Sequence, residues 1–148
     1  MNLDKYTLER SSDSKIFEFT STGPKGAIPK IIKFQKIDDA GLHNLAFGNS
    51  NNGGRRLDDR AVSNNGDTEK ILATVVSALY FFFDTYPTAS VYATGSTPTR
   101  TRLYRMGISR FYFEMVEDFE LYGMRNKVLH PFIINEDYDA FLVQRKLS

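Results

Sequence analysis

The stretch Lys15-Ile-Phe-Glu-Phe-Thr-Ser-Thr-Gly-Pro-Lys-Gly-Ala-Ile-Pro-Lys-Ile-Ile-Lys-Phe34 decides the fold class. Phe17 and Phe19 alternate with polar neighbours through Ser21, the period-two signature of a half-buried strand. Thr22-Gly-Pro-Lys-Gly26 reads as a turn. Ile28, Ile32 and Phe34 then recur at even spacing, which predicts a second strand antiparallel to the first. Pro29 has no N–H to give a ladder, so this strand is expected to start there or to lie at an edge.

Outward from the hairpin, Leu42-His-Asn-Leu-Ala-Phe47 reads as a third strand. Residues 49–66 follow as a long polar loop rich in Asn, Gly and Ser, a length that in a compact domain marks a functional or mobile segment. Asp67 then reads as an N-cap, its carboxylate accepting from free N–H groups of the first turn. Ile71, Val75, Leu79 and Phe83 form one apolar helical stripe that ends before Pro87, and Tyr80, Phe81 and Phe82 widen it. Ser90-Val-Tyr-Ala-Thr94 reads as a strand, and Gly95-Ser-Thr-Pro98 as a turn. A second helix is expected from Pro98 to about Phe119, with Thr97 as its cap and Pro98 at the first position, where a missing N–H costs nothing. Leu103, Gly107, Phe111 and Met115 form its buried stripe. Residues 119–123 and 140–145 complete the strands. The order β-β-β-α-β-α-β-β predicts an α+β fold: a mainly antiparallel sheet of about five or six strands with two helices on one face. The whole chain, 1–148, is expected to form one domain.

Composition excludes more than it identifies. The 148 residues carry Lys+Arg 19 against Asp+Glu 18, so bulk charge gives no reason to expect a polyanion. The absence of cysteine removes disulfides, zinc–thiolate clusters and thiol nucleophiles. Met-Asn-Leu-Asp-Lys-Tyr6 has no apolar core of a signal peptide, and the longest apolar run, within residues 79–83, is far too short to cross a bilayer. A cytoplasmic protein without membrane contact is expected.

Charge is distributed unevenly at finer grain. Residues 85–113 hold Arg100, Arg102, Arg105 and Arg110 and no acid, whereas residues 114–120 hold Glu114, Glu117, Asp118 and Glu120 and no base. In one continuous helix this order opposes the macrodipole, at roughly 0.3–1 kcal/mol for each exposed charge. A bound anion at the helix start would remove the conflict. A helix N-terminus after a glycine turn offers free N–H groups. Arg100, Arg102 and Arg105 add forked donors suited to phosphate or carboxylate, and Ser96, Thr97 and Thr99 add hydroxyls. These six residues are the candidate anion-binding set. The Lys-Ser/Thr ending and glycine spacing of a P-loop are absent. The competing explanation is that the arginines pair with Asp58, Asp59 or acids of a neighbouring element, or are merely solvated.

Other constellations are weaker. Asp58 and Asp59 are adjacent in an Asn/Gly-rich stretch, where successive side chains point apart and do not share one metal ion. His43 sits in a strand and fits a hydrogen-bonded core residue; His130 precedes a proline 87 positions on. No metal site and no cofactor are expected. Tyr92, Tyr104 and Tyr112 flank the arginine segment, a pattern that can stack nucleic-acid bases but is more often core.

Gly23-Pro-Lys-Gly26, Asn44-Leu-Ala-Phe-Gly48, Asn64-Asn-Gly-Asp67 with Ile71-Leu-Ala-Thr74, and Gly95-Ser-Thr-Pro-Thr-Arg-Thr-Arg-Leu-Tyr-Arg-Met106 together resemble a family of small bacterial proteins known only as a domain of unknown function. The resemblance covers nearly the whole chain, and the last motif is the most specific. An Asp often follows Asn-Leu-Ala-Phe-Gly in that family; here the position is Asn49. The resemblance implies one compact domain and supplies no catalytic residue and no substrate.

Three functional readings follow. The first is a domain binding a phosphate-bearing ligand, either a nucleotide or a nucleic-acid backbone, at residues 95–105. The second is a metal-independent nuclease or nucleotide-processing enzyme, as in the toxin half of a toxin–antitoxin pair. The third is a homodimer or interaction protein with no small ligand, since 12 Phe and 8 Tyr in one domain can serve an interface as well as a core.

Overall fold

A computed structural model describes residues 4–51, 56–58, 65–95 and 97–147. A two-residue strand, β1 (Glu9–Arg10), leads into the expected hairpin of β2 (Ile16–Gly23) and β3 (Gly26–Lys36), paired in register from Ile16↔Lys33 to Gly23↔Gly26. The strand containing Pro29 starts three residues earlier than the proline predicts. Pro29 faces Thr20 of β2, while pairing with the next strand begins only at Lys30, so its missing N–H removes no ladder bond on that side.

The next strands are β4 (Leu42–Asn51) and β5 (Arg56–Asp58). The expected 49–66 loop is therefore shorter than its composition implies: β4 runs into it and β5 lies within it, with Asp58 opposite Asn49 in register. Asp59 lies outside the described residues. After α1 (Thr68–Thr85) comes β6 (Ser90–Ala93), which joins β4 in parallel. A crossover is required for that pairing, and α1 provides it.

The helix expected over 98–119 is two helices, α2 (Pro98–Arg110) and α3 (Tyr112–Asp118), broken at Phe111. The break changes the charge argument. Arg110 now sits in the last turn of α2 and Glu114 in the first turn of α3, both favourable to the local dipole. Only the arginines at the start of α2 and the acids ending α3 remain reversed. The chain finishes with β7 (Phe119–Arg125), β8 (Val128–Pro131) and β9 (Ala140–Arg145).

The fold is α+β: one mixed, mostly antiparallel sheet with three helices. Eight strands run in the order β1-β2-β3-β4-β6-β9-β7-β8, and β5 pairs with the far part of β4. Register puts Phe17 and Phe19, then Ile32 and Phe34, Leu45 and Phe47, Val91 and Ala93, Phe141 and Val143, and Phe119 and Leu121 on one face. All are buried, and they form one core with Ile71, Leu72, Val75, Leu79, Phe82 and Phe83 of α1 and Tyr104 and Ile108 of α2. Stacking of Phe34 on Phe82 at 4.4 Å joins sheet to helix. His43 belongs to this core, as expected: Nδ1 lies 2.9 Å from the Gly41 carbonyl and the ring meets Phe82 edge-on. Among the described residues, no helix is long and apolar enough to cross a membrane.

Candidate functional site

At one end of the helix-covered face the apolar register gives way to polar residues. The next inward positions after Phe19, Ile32 and Phe47 are Ser21 on β2, Lys30 on β3 and Asn49 on β4. The starts of α1 and α2 come to this same end.

Around the start of α1 the polar groups satisfy one another. Asp67 occupies the N-cap position, but its side chain makes no capping bond, contrary to the sequence expectation. Its Oδ2 instead accepts from the Ser21 hydroxyl and the Tyr6 hydroxyl, each at 2.5 Å. Asn65 is buried and ties the hairpin turn to this point. Its amide donates to Ser21 Oγ and to the Gly26 carbonyl, and its Oδ1 accepts from the Lys25 N–H at 2.7 Å.

Lys30 is only 3% exposed. Its ammonium donates to Asn49 Oδ1 at 2.5 Å and lies 5.9 Å from the centre of the Phe47 ring. The Arg100 guanidinium lies 5.1 Å from the centre of that same ring. Burial pushes the Lys30 amine down to about 8, the nearby Arg100 charge adds to the shift, and Asp67 opposes it.

The start of α2 follows the sequence expectation. Thr97 Oγ1 accepts from the Arg100 N–H at 3.2 Å, a cap worth about 1 kcal/mol, and Pro98 takes the first turn. Gly95 donates to Thr101 Oγ1 at 3.0 Å, and a Cβ at Gly95 would fall 2.4 Å from the Thr101 nitrogen. The turn is therefore pressed against the helix in a way that only glycine permits. The cap takes the Arg100 N–H, the Thr97 carbonyl takes the Thr101 N–H and Pro98 has none, so side chains carry most of the capacity to hold an anion here.

The candidate anion set divides across this helix start. Thr97, Arg102 and Arg105 line one open depression of about 710 Å³, together with Gly95, Thr101, Asp137, Tyr138 and Asp139. Arg102 and Arg105 meet because residues three apart share a helix face. Arg100, two positions from Arg102, turns to the opposite side and covers Phe47. Thr99 is exposed, and Ser96 lies outside the described residues. Arg105 pairs with Asp137 on the facing wall, an intrachain acid of the kind the competing explanation invoked, though not one of the two it named. Arg110 pairs with Glu69 of α1 at 3.0 Å. No group of metal-binding side chains occurs among the described residues.

Lys30, Ser21 and Tyr6 were not among the residues singled out along the chain, and Asn49 was singled out only for its departure from the family motif. The signal was present: Ser21, Lys30 and Asn49 each continue the inward alternation of their strand, so a polar residue stands where a buried apolar one belongs.

A model described as "Family of unknown function (DUF6934)" matches residues 2–146, and the chain belongs to that family. No curated protein and no solved structure matches it.

Proposed function

We propose that this chain is a binding domain for a phosphate-bearing ligand, a nucleotide or a nucleic-acid backbone, seated in the depression at the start of α2. The observation that carries this reading is the convergence of Arg102 and Arg105 with the Thr97 and Thr101 residues on one open cavity. Two guanidinium forks and the Thr97 hydroxyl suit the several oxygens of a phosphate, while the Thr101 hydroxyl, which donates to the Thr97 carbonyl at 3.3 Å, shapes the wall. Asp137 on the facing wall is engaged by Arg105, and Asp139 beside it gives the cavity both signs of charge. That favours a ligand with hydroxyl or amino donors beside its phosphate over a bare anion.

The test is calorimetric titration with a mononucleotide and with a short oligonucleotide, using wild type and the R102Q/R105Q double variant. Binding by wild type that the double variant loses supports the reading, and equal binding by both overturns it. Turnover of the titrant without added metal would extend the reading to the enzymatic one.

A second reading, self-association, is favoured by Phe113, which is 76% exposed on α3. Large aromatics are enriched in interfaces. Sedimentation velocity of wild type against F113S tests it: a dimer that the variant dissociates supports this reading, and a monomer at high concentration removes it.

A further inference from the structure

The acidic run read from the sequence takes no part in the α2 depression. Three of its members, Glu114, Glu117 and Asp118, are spaced three and four residues apart on α3 and so share one helix face. With Ser77, Tyr80 and Phe81 of α1 they line a second open depression, of about 440 Å³. Asp118 accepts from the Tyr80 hydroxyl at 2.7 Å. Burial, that bond and the charges of the three acids hold the Tyr80 phenol well above its ordinary range, so it stays a donor. Glu117 and Asp118 also sit at the C-terminal end of α3, where the helix dipole makes a negative charge unfavourable.

Among the described residues none of the three acids makes an ion pair. Three carboxylates face one ammonium, that of Lys5, which also lines the depression. Two further cations are near but do not line it: the Lys146 ammonium donates to the Val116 carbonyl, and Arg10 lies over the Phe81 ring.

Ser77 is an independent mark of a site. It is 9% exposed, the most buried of the residues that line the depression. Thr74, on the same helix, turns its hydroxyl back onto the Lys70 carbonyl at 2.7 Å, a common arrangement for a hydroxyl inside a helix. The Ser77 hydroxyl makes no hydrogen bond among the described residues, and it is not sealed in the core but opens on the depression. The acids do not converge as metal ligands do: no group of three metal-binding side chains occurs among the described residues. Acids and an unpaired hydroxyl beside the Tyr80 and Phe81 rings suit a ligand with a cationic N–H head on a hydrocarbon stem.

We propose that the depression between α1 and α3 binds an alkylammonium group, with the Ser77 hydroxyl accepting one of its N–H bonds and Glu114, Glu117 and Asp118 supplying the opposite charge. Two sources share that chemistry, a free polyamine and the lysine side chain of another protein. The site shares no residue with the α2 depression and does not depend on that depression binding anything.

The probes are spermidine and N-acetyl-lysine amide, each titrated calorimetrically into wild type, E114Q/E117Q, S77A and a charge-matched control, D39N/E136Q. The control removes two acids of surface pairs elsewhere. Glutamine keeps the shape of an exposed glutamate, and alanine is the better helix former at position 77, so all variants are expected to keep the wild-type circular dichroism spectrum. E114Q/E117Q should weaken binding at least about tenfold and S77A roughly threefold to tenfold, while D39N/E136Q binds as wild type does. Spermidine bound without the lysine amide supports the proposal with a free polyamine as ligand; binding of the lysine amide supports it with a lysine side chain. An equal loss in D39N/E136Q overturns it in favour of diffuse attraction to surface charge. S77A or E114Q/E117Q binding like wild type overturns it, as does a wild type that binds neither probe.

Discussion

Arg105 of α2 donates to the carboxylate of Asp137, across the depression that Arg105 shares with Arg102. An anion entering the depression must compete with Asp137 for that guanidinium. The Asp137 side chain is 91% exposed, so the pair is worth no more than about 1 kcal/mol. D137N is accordingly expected to tighten nucleotide binding by up to about fivefold at low salt, with stability nearly unchanged. Titration of both proteins at two salt concentrations checks this. Weaker binding by D137N would show that Asp137 contacts the ligand rather than competing with it.

Asp67 holds Tyr6 and Ser21 against the start of α1. D67A leaves both hydroxyls without this acceptor and is expected to cost about 1–3 kcal/mol, although no capping bond is lost. Y6F removes the donor to Asp67 and the acceptor of the Thr22 N–H but leaves Asp67 and Ser21 paired, and should cost less, about 0.5–1.5 kcal/mol. Urea denaturation of wild type and the two variants measures the order. Equal losses would place the whole effect in the Tyr6–Asp67 bond and none in the Ser21 bond.

Gly123 of β7 lies under the Tyr138 ring, where a Cβ would stand 2.3 Å from Cδ1. Tyr138 is itself 6% exposed and packs on Phe132 and Phe141. G123A therefore displaces a ring from its packing on Phe132 and Phe141, and is expected to cost about 1–3 kcal/mol by overpacking. The double variant G123A/Y138A should show less than the sum of the two single losses in thermal unfolding, because the clash disappears with the ring.

Lys30 makes stability depend on alkaline pH. Its folded value of about 8 lies below the ordinary lysine value of 10.5, so between these the unfolded chain binds more protons than the folded one. Stability then rises with pH across that window, and below about 8 the folded state carries the unfavourable buried charge. K30M should flatten the curve. Comparing urea midpoints of K30M and wild type from pH 7 to pH 10 isolates the lysine, because the tyrosines contribute equally to both proteins. Parallel curves would refute the assignment.

Much of this architecture was legible along the chain. Six strands announced themselves by alternation, and α1 by its apolar stripe, because one face of each is buried and the pattern of burial is local. The strands β1 and β8 were silent because both are exposed and carry no alternation. The break at Phe111 was silent for another reason: Gly107, Phe111 and Met115 keep helical spacing straight through it, so the periodicity is unbroken where the axis is not. The anion set was legible as residue types but not as a place. Local spacing joined Arg102 to Arg105, yet Arg100 belongs with Lys30, 70 positions earlier, because β3 and the start of α2 meet only in the assembled fold.

By itself the sequence determined which residues form the layers: an inward face on each long strand, an amphipathic helix between the third strand and the next, and a Thr-Pro start for α2. Only the tertiary structure decided the strand order, the parallel seating of β6 beside β4, and the splitting of the arginines between two sides of one helix. Those outcomes depend on pairings and packing between residues far apart in the chain. Local propensity does not encode them, since any inward apolar face satisfies it and only the joint fit of all the elements selects one arrangement.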